Sequence, residues 1–305
     1  MRKGTTPPSS ETQWTLGARL TLWLAVVFIL LNFVHLAYQF TIPSPGWAGP
    51  SPEDQNEAES YFQVDTNAVG SPSPLQSGDS IYTIDGISAK QILTISDLSE
   101  MLVPPGWSVG GEAKMTVLRN EQTIQLEVPL THWTAAAWLR TNFGSFAELW
   151  SWLVTLLLFG AGTFTFLNRP GNLAARFLFA FGLSNLSITL ASSIPDYVGQ
   201  WMNPLALITT AFFGNIIFAY LLAPSFLGFA LSFPHPKKFI EHRPVLLVLP
   251  YLVGSVTIFL LFLAPEFTEI GFLLTFVMLL LGVAALVHSG LTMRDAISRA
   301  QMRWA

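Results

Sequence analysis

The sequence predicts an α-helical membrane bundle of six spans, with a small α+β domain inserted between the first and second spans. Of the 305 residues, 51% are hydrophobic and only 11% are charged, which is typical of membrane proteins. Six apolar runs approach the roughly 20 residues that a helix needs to cross a bilayer. A polar block with alternating strand patterns separates the first two runs.

The N-terminal region predicts a tail, a span and a linker, at residues 1–15, 16–40 and 41–57. The apolar run is long enough to cross the hydrocarbon core as a helix. A cleavable signal peptide is the alternative, but the run exceeds a typical signal-peptide core and no small-x-small site follows it closely. Pro, Ser and Gly dominate the linker, which leads into the polar block at residues 58–130.

The polar block is organised around the stretch L-x-x-G-D-x-I-x-x-I-D-G at residues 75–86. Gly78 and Asp79 open a short predicted strand, and Asp85 and Gly86 close it. Asp-Gly tolerates positive φ and therefore favours a hairpin turn at that point.

Three strands and one helix are predicted in the block, with the strands at residues 80–84, 114–118 and 122–130 and the helix at 94–103. Ile124, Leu126 and Val128 alternate with polar residues, which is typical of a half-buried strand. Hydroxyl and carboxylate side chains at the start of the helix can cap it, and P-P-G at 104–106 ends it.

This order of elements, with its G-D-x-I-x-x-I-D-G hairpin, resembles a bacterial PDZ domain. The resemblance implies a groove in which a peptide adds as a strand beside the helix. On this sequence the apolar lining of the groove would come from Tyr61, Phe62, Leu98 and Met101. The family's carboxylate-binding loop contains glycine, whereas residues 59–62 (E-S-Y-F) contain none. The alternatives are core packing of each of these side chains, and an unrelated small α+β sensor fold.

After the polar block, residues 131–148 predict an interfacial collar that leads into a five-span bundle at 149–290. Indole rings prefer the headgroup level, and Trp133, Trp138, Trp150 and Trp152 cluster at residues 132–152, in this collar and at the start of the next span. An amphipathic helix packed on the α+β domain is the alternative. The five further spans are predicted at residues 149–167, 173–192, 205–233, 245–263 and 270–288. Pro224 and Ser225 predict a tilt or kink in the longest of them.

Basic residues predict the orientation of the chain. With a cytoplasmic N-terminus, the inner segments hold eleven of the fifteen Lys and Arg residues, namely Arg2, Lys3, Arg19, Arg169, Arg176, Lys237, Lys238, Arg243, Arg294, Arg299 and Arg303. Sixteen of the nineteen acidic residues lie outside. This asymmetry predicts both termini inside and the α+β domain outside.

Motifs for catalysis, metals and nucleic acids are missing from the sequence. There is no His-Glu pair for a membrane metalloprotease, no cysteine for thiolate ligands, and no glycine-rich phosphate loop. The five histidines are scattered, and the basic residues follow topology rather than a nucleic-acid surface. The sequence therefore predicts a non-catalytic chain without cofactor, metal or nucleic-acid partner.

Polar residues inside the predicted spans are few and uncharged near the span centres, which argues against a transporter. Ser184, Asn185, Ser187 and Asn215 are central, and interhelical hydrogen bonding is the favoured interpretation for them. A ligand pocket is the alternative.

Two further stretches carry a second resemblance. A-L-S-F-P-H-P at 230–236 and R-A-Q-M-R-W at 299–304 are similar to the F-P and R-x-Q-x-R-W signatures of bacterial sensor histidine kinases of the competence, quorum-sensing type. The resemblance implies a signal exit at Arg299, Gln301, Arg303 and Trp304, a homodimer, and a cytoplasmic kinase output module downstream or on another chain. A basic, aromatic end of this kind also marks any positive-inside boundary.

These observations lead to an expectation about function. We expect a sensory module of a two-component system in the bacterial inner membrane, in which residues 291–305 form the cytoplasmic exit and the chain is the input half of a receptor. Its partners would be the lipid bilayer and a peptide or envelope-protein ligand. A membrane-anchored PDZ scaffold without signalling output is the alternative, and a transporter comes third.

Overall fold

The computed structural model describes residues 13–49, 61–93, 106–263 and 268–292. The described residues are mostly helical, with a small β-sheet region. The chain folds into two compact units. Unit 1 contains the described parts of residues 1–31, 153–189 and 213–305, and unit 2 contains those of residues 32–152 and 190–212.

The helices, in chain order, are Leu16–Gln39 (α1), Ala89–Leu93 (α2), Ala135–Phe143 (α3), Phe146–Asn168 (α4), Leu173–Ala191 (α5), Tyr197–Trp201 (α6), Pro204–Ala211 (α7), Ala223–Ser232 (α8), Lys238–His242 (α9), Leu249–Leu263 (α10) and Thr268–Thr292 (α11). The strands are Trp47–Ala48 (β1), Phe62–Gln63 (β2), Thr66–Asn67 (β3), Ser80–Ile84 (β4), Ile87–Ser88 (β5), Glu112–Arg119 (β6) and Gln122–Pro129 (β7).

Five helical segments within the described ranges are long and apolar enough to cross a membrane: α1, α4, α5, Pro204–Ser232 and Glu269–Thr292. They coincide with five of the six predicted spans. The remaining prediction, residues 245–263, falls on a 3₁₀ turn at Pro244–Val248 followed by the 15-residue α10. An apolar helix of that length is too short by itself to cross a bilayer core of about 30 Å.

The longest span departs from α-helical geometry before its proline. Two π-helical segments, Phe212–Ile216 and Phe218–Leu222, connect α7 to α8. Pro224 stands in the first turn of α8 and has no N–H to donate to the preceding turn, which explains a widened backbone there. The sequence predicted a tilt or kink at this proline, and the structure shows π-helical backbone just before it.

Close helix packing in unit 1 depends on glycine. A Cβ on Gly162 would lie 2.8 Å from the carbonyl oxygen of Leu178, and one on Gly182 would lie 2.7 Å from that of Leu158. The α4 and α5 backbones therefore approach each other at these two positions. The Thr155 hydroxyl donates to Asn185 Oδ1 across the same pair of helices (2.8 Å), which is the predicted interhelical bonding for Asn185.

The main sheet of unit 2 is antiparallel with the order β2-β4-β6-β7, and β5 pairs with β4. Two-residue turns of type I′, with positive φ at both positions, connect β4 to β5 and β6 to β7. The first turn is Asp85-Gly86 and the second is Asn120-Glu121. β4 occupies the predicted residues, and β6 begins two residues earlier and ends one residue later than predicted. The predicted helix at 94–103 lies outside the described residues.

Candidate ligand-binding pocket

The hydrophobic core of the sheet includes residues from a connection between two membrane helices. Val198 and Met202, in or next to α6, are 4% and 5% exposed and belong to the same buried cluster as Phe62, Ile81 and Met115 of the strands. The connection between α5 and α7 is therefore part of the sheet's own core rather than a solvent loop.

Ser44 anchors the chain after α1 to the end of the sheet. Its backbone N–H donates to the Thr131 carbonyl (2.9 Å), and the Thr131 N–H donates back to the Ser44 carbonyl (2.8 Å). The Ser44 hydroxyl accepts from the Gly46 N–H (2.8 Å) and donates to the Asp196 carboxylate. Segments that follow α1, β7 and α5 thus meet at one residue, Ser44.

Asp196 caps α6 and is almost fully buried, at 3% exposure. Burial raises the pKa of its carboxyl to about 6, although the hydrogen bonds from Ser44 and the Gly199 N–H, together with the nearby Trp133 indole, act to lower it. The Gly199 N–H lies 2.9 Å from Oδ1. The Trp133 indole N–H lies outside the geometry of a normal hydrogen bond but still favours the charged carboxylate.

Asn142 connects the predicted collar to the end of α5. Its Nδ2 donates to the carbonyls of Ser193 (2.7 Å) and Trp138 (2.9 Å), and its Oδ1 accepts from the Trp152 indole N–H (3.0 Å). The Trp138 indole N–H donates to the Ser193 hydroxyl (2.9 Å), and its ring meets that of Trp152 edge to face. Two of the four collar tryptophans thus carry hydrogen bonds within unit 2, and Trp150 is 57% exposed.

The second turn of the L-x-x-G-D-x-I-x-x-I-D-G stretch positions a tryptophan. Asp85 has φ of 49° and Gly86 has φ of 82°. Asp85 Oδ2 accepts from the Trp107 indole N–H and Oδ1 accepts from the Lys114 backbone N–H, both at 2.8 Å. Asp85 therefore holds Trp107 against the turn between β4 and β5.

A pocket of about 200 Å³ opens beside this tryptophan. Its lining comes from the chain after α1, from the segment before β6, and from α6 and the connection to α7, namely Ile42, Pro43, Gly106, Trp107, Gly199, Met202 and Asn203. None of these side chains is charged. The Asn203 side chain lines the pocket, caps α7 through the Ala206 N–H (3.2 Å), and accepts a hydrogen bond from the Tyr38 hydroxyl (3.1 Å).

Two of the four predicted groove residues, Tyr61 and Phe62, lie in the described part of the chain. Phe62 is 2% exposed and packs in the sheet core, and Tyr61 contacts the ring of Tyr82 at 5.6 Å. Leu98 and Met101 lie outside the described residues, as do all four residues of the predicted signal exit, Arg299, Gln301, Arg303 and Trp304. Gly78 has φ of 88°, and Asp79 forms an ion pair with Arg119.

Sequence reasoning missed the residues that form the pocket. Trp107, Met202 and Asn203 come from separate segments, and their proximity depends on the tertiary fold. One signal was present, because Y-V-G-Q-W-M at 197–202 places large apolar side chains in a short connection between two spans. Comparisons with protein-family models, with curated proteins and with solved structures gave no match. Within the described ranges, no three His, Asp or Glu side chains gather as metal ligands.

Proposed function

We propose that this chain is the non-catalytic ligand-input module of a bacterial signal-transduction receptor in the inner membrane. A PDZ-like extracytoplasmic domain binds a peptide or an envelope protein, and a six-span bundle relays the binding event to the cytoplasm. The observation that carries the proposal is the shared core of the sheet and the connection between α5 and α7.

The shared core supports sensing because it packs residues from the connection between the membrane helices α5 and α7 directly against the sheet. Unit 2 contains residues 32–39 of α1, 146–152 of α4, 190–191 of α5 and all of α7, together with the sheet. A ligand that favours one arrangement of the sheet therefore acts on a body that includes the ends of four helices. Such differential binding is what shifts a two-state receptor.

Length and hairpin geometry support the finer features of the proposal. The 3₁₀ turn at Pro244–Val248 and α10 together reach about 30 Å, enough for a sixth span when they are taken as one segment. The antiparallel sheet with its Asp85-Gly86 turn supports the PDZ-like assignment. The asymmetry of basic residues supports cytoplasmic termini and an outer sheet domain. By the kinase resemblance, the module is a homodimer and signals to a kinase output module.

The test uses the full chain in lipid nanodiscs. The sequence contains no cysteine, so engineered cysteines can be labelled without background. Leu16→Cys and Leu291→Cys place spin labels on α1 and α11 at positions that are 74% and 82% exposed. The probe is a fluorescent pool of random decapeptides with free C-termini. We expect the pool to bind and to shift the distance distribution between the two labels.

Other outcomes of this experiment separate the alternatives. A pool that binds without moving the labels would favour the scaffold, because a scaffold holds its partner without transmitting. A pool that does not bind at all would overturn the ligand-input proposal for peptides. The matched control is the labelled Leu16→Cys, Leu291→Cys chain that also carries Thr123→Ala. Thr123 is an exposed position of β7, so this variant reports nonspecific effects of substitution.

A further inference from the structure

One side of the pocket is fixed to the sheet. Trp107 donates its indole N–H to Asp85, and Asp85 also accepts the backbone N–H of Lys114 in β6. Because Asp85 belongs to a type I′ turn, the tryptophan is held by a rigid hairpin rather than by a free loop. The rest of the lining comes from the chain after α1, from Gly106, and from α6 and the two residues that follow it.

The size and lining of the pocket specify its occupant. An apolar cavity of roughly 150 Å³ accommodates benzene, whereas drug-sized ligands occupy roughly 300–1,000 Å³. At about 200 Å³ the pocket therefore fits one ring or one branched aliphatic group. The lining carries no charged side chain, and Trp107, Ile42 and Met202 offer an apolar ring or aliphatic group more contact than they offer an ion, while a long lipid chain exceeds the volume.

Asn203 provides the polar contact of the pocket. Its Oδ1 accepts from the Tyr38 hydroxyl and from the Ala206 N–H, and both bonds fall on the same oxygen. The Asn203 side-chain amide donor, Nδ2, takes part in neither of these two bonds. An amide donor beside apolar side chains such as Ile42 and Met202 matches the carbonyl that flanks a side chain in a peptide backbone.

Asn203 also connects the pocket to two membrane helices. It caps α7, and Tyr38 stands one residue before the end of α1. A second side-chain bond joins the same two helices, from Gln39 Nε2 to Thr210 Oγ1 at 2.8 Å. Two side-chain hydrogen bonds therefore connect the end of α1 to α7 and its cap, and one of them is made by Asn203, which lines the pocket.

We propose that this pocket is the subsite for one apolar side chain of an extended peptide, and that Asn203 couples its occupancy to α1 through Tyr38. The inference rests on the proposed ligand-input function and names the subsite and the residue that reports occupancy. Asn203 is a positioning residue in this scheme, since it changes the contact between α1 and α7 when the peptide carbonyl engages its amide.

A tethered probe tests the proposal without a known ligand. A Cβ on Gly106 meets nothing within 4 Å, so Gly106→Cys places a thiol at the pocket without a clash. Full-length chain in nanodiscs is alkylated with N-(4-trifluoromethylbenzyl)iodoacetamide, which supplies one ring and one amide carbonyl. Iodoacetamide, which lacks the ring, is the matched reagent. Thr123→Cys on the exposed face of β7 is the matched position.

We expect the ¹⁹F signal on Gly106→Cys to be shielded from an aqueous paramagnetic quencher, and the signal on Thr123→Cys to be quenched. Amide exchange in the last turn of α1 and the first turn of α7 should slow about five-fold relative to the iodoacetamide product, since one hydrogen bond contributes about that factor. Tyr38→Phe should leave the ring buried and the α7 response intact while abolishing the α1 response.

Two results would overturn the inference. A ring on Gly106→Cys that is quenched as strongly as the ring on Thr123→Cys rules out the subsite. An α1 response that survives Tyr38→Phe rules out coupling through Asn203. If the decapeptide pool fails to bind while the tethered ring is buried and α1 responds, the ligand-input proposal fails for peptides but the coupled pocket stands.

Discussion

Arg119 binds the buried Asp79 through two parallel hydrogen bonds, from Nε to Oδ1 at 2.7 Å and from Nη2 to Oδ2 at 2.6 Å. Burial raises the pKa of Asp79, but the bonds from Arg119 and from the Gln76 N–H outweigh it and hold that pKa below its usual value. Arg119 also donates to the Pro74 carbonyl at 2.8 Å. The pair therefore fixes the turn before β4 to the end of β6.

Arg119→Met should destabilise the β4–β6 pairing because it leaves the Asp79 carboxylate, which is 1% exposed, without a cation. Breaking a fully buried pair costs about 3–5 kcal/mol, and the 21% exposure of the Arg119 side chain reduces the expected loss to about 2 kcal/mol. Hydrogen exchange of β4 and β6 amides measures this loss. Lys114→Met removes an exposed cation from the same strand, and an equal loss in that variant would contradict the specific role of Arg119.

Asp85→Asn should loosen Trp107 while keeping the hairpin. Asparagine tolerates the φ of 49° at this position, but its NH₂ group faces either the Trp107 indole or the Lys114 N–H, which are both donors. The loss of one hydrogen bond, about 1 kcal/mol, should speed exchange of the Lys114 amide about five-fold.

The matched control for this variant is Asp65→Asn, which removes the same charge from an exposed side chain. If both variants speed exchange of the Lys114 amide equally, net charge rather than the Asp85 contacts explains the effect. The tethered ring on Gly106→Cys offers a second measurement, since a looser Trp107 should expose the ring to the quencher.

The sequence predicted the elements whose signal is local. Five of six spans and the strand Ser80–Ile84 follow from apolar run length and alternation, which need no tertiary context. The sixth predicted span shows the limit of that approach. Its apolar run, residues 245–263, begins directly after Pro244, and its first four residues belong to a 3₁₀ turn, so the α-helix is shorter than the run.

The candidate site could not be predicted because its contacts are non-local. Trp107 and Asn203 are far apart in sequence, and burial of Met202 in the sheet core depends on how the connection after α5 folds. The π-helical backbone before Pro224 was likewise not predicted, because a proline in a predicted span indicates a tilt or kink without specifying the form of the backbone. The resemblance directed attention to Tyr61 and Phe62, but alternation cannot distinguish a groove side chain from a core side chain such as Phe62.

Asn142→Leu should separate the collar from the end of α5. The substitution keeps side-chain volume but leaves the Trp152 indole N–H and the Ser193 carbonyl without their partner, and each unsatisfied buried group costs about 1–3 kcal/mol. Faster exchange in residues 190–194 and a changed tryptophan emission spectrum are the expected results. Asn168→Leu, an exposed asparagine at the end of α4, is the control and should leave both measurements unchanged.

Protonation of Asp196 in mild acid should stabilise the folded connection between α5 and α7. Its pKa in the folded chain, about 6, lies above the ordinary value of 3.8, so folding favours the protonated carboxyl. The corresponding stabilisation is fully present below about pH 3.8 and is lost as the pH rises through about 6. A pKa shift of this size corresponds to a loss of roughly 3 kcal/mol in folding stability at pH 7.5, where the carboxylate is ionised.

Asp196→Asn should therefore slow amide exchange in residues 196–202 at pH 7.5 and abolish its dependence on pH between 5 and 7.5, after correction for intrinsic rates. Asparagine keeps the cap of α6 and mimics the neutral carboxyl. The Asp79 pair has the opposite sign, because its lowered pKa makes its contribution disappear only in stronger acid, outside this window. A pH response that persists unchanged in Asp196→Asn would contradict its assignment to this carboxyl.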